Sequence, residues 1–148
     1  MMYNAAMGQP ASELFLPDPE LIDRAVDGAL LALPEAWRQK LVNLAIVIED
    51  YPEDDAAAED EGEMLGMLDG PALTDRSVHD PYSFPTRLVL FTGPIADEAE
   101  DLGVEVAQVV RETVWHELAH YFGHDEDGAY ALETKWEANW RQLTPPPL

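Results

Sequence analysis

Apolar residues recur along this chain with two periods, and the switches between them predict the elements. Leu21, Ile22, Ala25, Val26, Ala29, Leu30 and Leu33 fall at helical spacing, which is one face of a 3.6-residue repeat. Asp18-Pro19-Glu20 just ahead supplies a helix start: an N-cap acceptor, a proline in the first turn and an acid behind it. Pro34 ends or restarts that helix. A second short piece follows over residues 35–41, where Trp37 and Leu41 lie four apart and act as core anchors. The period then shortens. Residues 44–49 (LAIVIE) are β-rich, and so are a short run over 65–69 closed by Gly70-Pro71 and the run RLVLFT over 87–92, stopped by Gly93-Pro94.

Helical spacing returns from about residue 97 to 122, with Gly103 as a break point. A last helix over about 128–142 carries Leu132, Trp136 and Trp140 at i, i+4 and i+8. Val109, Val110, Val114, Trp115, Leu118 and Phe122 surround the helix before it on all sides. Such a helix is expected to run through the middle of the molecule. Helices and strands in this order predict an α+β domain over residues 14–143, between a flexible leader (1–13) and a proline-rich tail (144–148).

Composition narrows the function classes. Hydrophobic residues make up 47% of the 148, enough for a core and against global disorder. Cysteine is absent, so any metal must be held by nitrogen and oxygen. No basic-then-apolar leader and no run of eighteen apolar residues is present, so neither a signal peptide nor a membrane span is expected. A cytoplasmic location is the default. Eight basic residues face thirty acidic ones, a net charge of −22 that repels nucleic acid and anionic membranes. An acidic, soluble protein accounts for this charge; dense carboxylates would also keep a surface hydrated at high salt. Residues 49–63 are the most acidic stretch and contain no base. They predict a solvated loop, because the Gly-punctuated carboxylate spacing of a calcium loop is missing.

The chemistry concentrates in WHELAHYFGHDE, residues 115–126. Helical residues four apart advance about 6 Å and turn only about 40° from one another. His116 and His120 can therefore converge on one zinc ion, about 2.0–2.1 Å from each nitrogen. Glu117 is rotated about 100° from His116, unsuited to be a co-ligand but placed to serve as general base toward water at the metal. Gly123 can take the left-handed turn that ends the helix and fold the next residues back. Glu126 is the nominated third ligand, with Asp125 and His124 as close rivals. The polar groups of a buried helix need partners, and a metal would supply them. Tyr121, Tyr130, His79 and Tyr82 are candidates to stabilise an oxyanion.

On these residues the chain resembles the minimal zincin-like metallopeptidase family of small bacterial proteins. The resemblance runs through PEAWRQKLVNLAIVIED, LGMLDGPALTDRS, PTRLVLFTGPI and RETVWHELAHYFGHDEDG. The last segment is similar to the signature H-E-x-x-H-x-x-G-x-x-(D/E), carried here by His116, Glu117, His120, Gly123 and Glu126. Glu126 stands where Asp is common, and His124 where an apolar residue is usual. The resemblance implies a pared-down zincin fold, a small sheet with the motif helix packed on a second helix, and a strand at LGMLDG beside the cleft. In larger zincins the equivalent edge strand binds extended peptide by strand addition. The implied activity is zinc-dependent hydrolysis of a peptide or unfolded protein. Two other functions compete with it: a non-catalytic metal-binding domain whose acidic face recognises a partner, and an acidic mimic of nucleic acid.

Overall fold

The computed structural model of the chain describes residues 16–53, 64–73 and 85–143. Helix α1 (Pro19–Leu31) begins as its sequence dictates: Asp18 is the N-cap, its carboxylate accepts from the Glu20 N–H at 2.9 Å, and Pro19 occupies the first turn. Pro34 ends the helix by disfavouring helical geometry at Leu33, then caps the one-turn α2 (Glu35–Arg38). The strands are β1 (Leu44–Glu49), β2 (Gly66–Asp69) and β3 (Thr86–Phe91). Three helices complete the chain: α3 (Thr92–Leu102), α4 (Val106–Tyr121) and α5 (Glu126–Arg141).

The sheet has the order β1-β3-β2, with β3 parallel to β1 and antiparallel to β2. Every residue of β3 is buried except Arg87, as expected of a central strand covered on both faces. Arg87 reaches Glu49 of β1 at 3.3 Å and Asp69 of β2 at 3.0 Å. These half-exposed pairs add little stability, but their fork spans the three strands.

Leu88 and Leu90 point from β3 into the main core, where α4 touches α1, α3, α5, β2 and β3. Trp115, 1% exposed, donates its indole N–H to the Ala29 carbonyl at 2.9 Å. Ala25 and Ala29 are the small residues that let α1 lie this close. Tyr121 is fully buried and donates its hydroxyl to the Val42 carbonyl at 2.6 Å. Trp37 packs between Phe122 and Trp136, with ring centroids 4.9 and 5.8 Å away, which is the anchoring role its spacing suggests.

Several boundaries differ from the sequence expectation: the 35–41 piece is helical only over Glu35–Arg38, and the strands are Gly66–Asp69 and Thr86–Phe91 rather than 65–69 and 87–92. Gly93-Pro94 ends no element; both residues lie in the first turn of α3, which starts at Thr92 rather than near 97. First-turn amides have no partner inside a helix, so Pro94 costs nothing there. The final helix starts at Glu126 rather than near 128, because Asp125 caps it. The break at Gly103 is real. The leader, the tail, residues 54–63 of the acidic stretch, and His79 and Tyr82 lie outside the described residues.

Candidate metal centre

The turn between α4 and α5 builds the site. Gly123, at φ 96°, takes the left-handed conformation. Its N–H bonds the His120 carbonyl at 2.9 Å, and the His124 N–H bonds the Ala119 carbonyl at 3.1 Å. This pair of bonds is a Schellman C-cap. Two residues on, the Asp125 carboxylate accepts from the Gly128 N–H at 2.9 Å and starts α5. With one helix closed and the next opened inside four residues, Glu126 in the first turn of α5 swings back over α4.

The result is a convergence of three side chains, His116, His120 and Glu126, each offering one ligand atom within 4.8 Å of the others. His120 Nε2 lies 3.2 Å from His116 Nε2 and 2.7 Å from Glu126 Oε1, while His116 Nε2 lies 3.4 Å from the same oxygen. Both rings are held by their other nitrogen. His120 Nδ1 is 2.9 Å from the His124 carbonyl oxygen. A carbonyl only accepts, so that nitrogen carries the proton. His116 Nδ1 donates likewise to Glu133 at 3.0 Å. Each neutral ring thus turns its Nε2 lone pair toward the other and toward a carboxylate. Three electron-rich atoms in mutual contact repel one another unless a cation or proton lies among them.

A tetrahedral zinc ion with bonds of 2.0–2.1 Å separates its donors by about 3.3 Å. Two of the three separations are within 0.1 Å of that figure, and two imidazoles with one carboxylate form a donor set zinc accepts. The residues present fit the ion.

The rivals for the third position are engaged elsewhere. Asp125 is the α5 cap. The His124 ring lies beside Trp37, 6.1 Å between centroids, and against Gly128, where an added Cβ would come within 2.8 Å of its Nδ1. Tyr121 is committed to Val42 inside the core and cannot face an oxyanion. Tyr130 is 74% exposed.

Glu133 was not among the residues expected from sequence. Seven positions after Glu126, it lies on nearly the same face of α5, since two helical turns bring the chain round to within about 20°. That spacing is the signal that could have exposed it. Burial lowers the His116 pKa, but the hydrogen bond and charge of Glu133, with the charges of Glu117 and Glu126, outweigh this and leave it above the ordinary imidazole value.

Glu117 is half-buried. Burial raises its pKa above the usual carboxylate range, against the downward pull of His116 and His120; Glu126 and Glu133 add to the rise. It lines, with His116 and Glu133, a cleft of about 310 Å³. The wall opposite is the start of β2, which lies directly on α4 because residue 66 is glycine. A Cβ there would sit 2.9 Å from both Thr113 Cγ2 and the Val89 carbonyl.

The chain belongs to the zincin-like metallopeptidase family, whose profile matches residues 41–136, a span that takes in β1 through most of α5. No curated protein matches the chain significantly. Among the described residues no helix is long and apolar enough to cross a membrane.

Proposed function

We propose that this protein is a zinc-dependent peptidase acting on peptides or unfolded protein segments, with His116, His120 and Glu126 as zinc ligands and Glu117 as general base. The observation that carries the reading is the orientation of the two imidazoles: their Nδ1 atoms are tied to a carbonyl and a carboxylate, so both Nε2 lone pairs converge on Glu126. The chemistry supplied by a bound zinc ion is Lewis-acid activation of water and of the scissile carbonyl.

The remaining steps fall to the chain's own residues. Glu117 lines the cleft beside the ligands without sharing their cluster. It removes a proton from the attacking water and returns it to the departing amine nitrogen. Its raised pKa suits both halves of that transfer. An extended substrate lies along β2, the sheet edge nearest the site, where main-chain hydrogen bonds hold it in register.

A closed, purely structural metal site would need a fourth protein ligand. The described cluster supplies three, and both His124 and Asp125 are otherwise engaged, which favours an open, catalytic site.

The test is reconstitution. Metal-free protein is expected to bind one zinc ion and to cleave a quenched fluorescent peptide library. Chelation should abolish both, and His116→Ala should lose zinc. Glu117→Gln should keep zinc and lose cleavage; hydrolysis undiminished in that variant would overturn the mechanism.

A further inference from the structure

We infer that the cleft beside the metal centre selects substrates with a lysine or arginine side chain next to the scissile bond, an inference that rests on the peptidase reading. The cleft runs from His116 and Glu117 back toward the start of α4 and has two kinds of wall. Met64 and Leu65 just before β2, Leu102 at the end of α3 and Val109 on α4 make it apolar along its length. Glu98 of α3 and Glu112 of α4 are the two carboxylates in its lining that neither hold a ligand in place nor serve as the base. No lysine or arginine among the described residues lines it.

Arg111, the residue before Glu112, stacks its guanidinium on Trp140, 3.8 Å from the ring, and its charge is shared among Glu112, Glu105 and Glu137. Glu112 itself accepts from the neutral Gln108 amide at 3.2 Å. Glu98 has no ion-pair partner among the described residues. At about 310 Å³, the cleft sits at the small end of ligand pockets, which span roughly 300–1,000 Å³; it suits one long side chain rather than a whole small molecule. Lysine and arginine have the matching form, an apolar stem that packs on hydrophobic surface and a cationic head that seeks carboxylate. An acidic side chain would meet like charge, and a short apolar one would leave Glu98 unanswered and Glu112 only partly so.

The experiment separates this selectivity from the general attraction of a chain with net charge −22. Zinc-loaded Glu117→Gln protein, blocked in hydrolysis, is titrated at 0.15 M salt with fluorescein-labelled peptides. These are identical except for a central Lys, Arg, Leu or Glu. The Lys and Arg peptides are expected to bind at least tenfold more tightly than the Glu peptide. Adding Glu98→Gln and Glu112→Gln should weaken their binding about three- to tenfold. The control pair Asp23→Asn and Asp27→Asn, on the exposed side of α1, changes net charge equally and should cost less than twofold. Glu98→Gln alone should show part of the loss if the double variant folds poorly.

Equal affinity for all four peptides, or equal losses in the two double variants, would overturn the inference. Cleavage by the wild-type protein without basic preference would also overturn it while leaving the peptidase intact. Cationic selectivity that depends on Glu98 and Glu112 but comes without any cleavage would support the cleft and sink the peptidase.

Discussion

Glu133→Gln isolates the support given to one proposed metal ligand, His116, from the ligand itself. The amide keeps the size and the acceptor oxygen of the carboxylate but removes the charge that His116 Nδ1 faces at 3.0 Å. A hydrogen bond to a charged partner contributes about 1.5–3 kcal/mol, against about 0.5–1.5 for a neutral one. The two side chains are 35% and 24% exposed, so solvent screening places the loss near the low end, about 1–1.5 kcal/mol. That corresponds to roughly a five- to tenfold rise in the zinc dissociation constant, at or just below the bottom of the roughly 10–100-fold range for losing a carboxylate behind a metal-bound histidine. Competition with a chromogenic chelator at pH 7.5 reads it directly. Thermal melts give a second reading: a tenfold weaker site forfeits about 1.4 kcal/mol of zinc-induced stabilisation at saturating metal. At this chain length that is about 3–6 °C of the zinc-dependent rise in Tm. Zinc affinity within twofold of wild type, in a variant whose metal-free melt is unchanged, would refute the claim that Glu133 orients His116.

Other substitutions probe the surroundings. The pKa values of Glu117 and His116 are both raised in the folded state, so each favours the protonated form there. Their contribution to stability is full below the ordinary pKa of each group and is lost as pH rises through its raised value. The metal-free protein is therefore expected to melt higher at mildly acidic than at neutral pH. Glu117→Gln should raise the neutral-pH Tm of that form; a lowered Tm would contradict the burial argument. Gly66→Ala forces a methyl to within 2.9 Å of the Val89 carbonyl and Thr113 and should cost about 1–3 kcal/mol, seen as a lower denaturant midpoint. Tyr121→Phe removes the bond to the Val42 carbonyl at a cost of about 1 kcal/mol. Its zinc affinity should stay unchanged, because the hydroxyl points into the core and away from the site.

Much of the architecture could be read before any coordinates. Apolar spacing marked α1, β1 and the buried course of α4, because a helix clothed in valine, leucine and tryptophan has no stable place except the middle of the molecule. The four-residue spacing of His116 and His120 put both imidazoles on one face, a consequence of helical rise and twist alone. Gly123 announced the turn beyond them for an equally local reason, the low cost of left-handed backbone at glycine.

Local chemistry could not rank Glu126, Asp125 and His124, because each lies within reach of a reversing chain. The folded chain places them differently: Asp125 accepts from the Gly128 N–H, the His124 ring lies beside Trp37, and Glu126 faces the His120 and His116 rings. Glu133 stayed hidden for a related reason. Its meaning depends on α5 lying antiparallel beside α4, and that packing is set by Trp136, Leu132 and their partners across the core rather than by any motif. The cleft is likewise a product of assembly, since its walls come from β2, α3, α4 and α5. Sequence alone determined which residues could hold a metal, because that follows from helix geometry within one segment. Which of them converge, what holds them there and what walls the cleft beside them were decided by tertiary packing, where segments distant in sequence compete for the same groups.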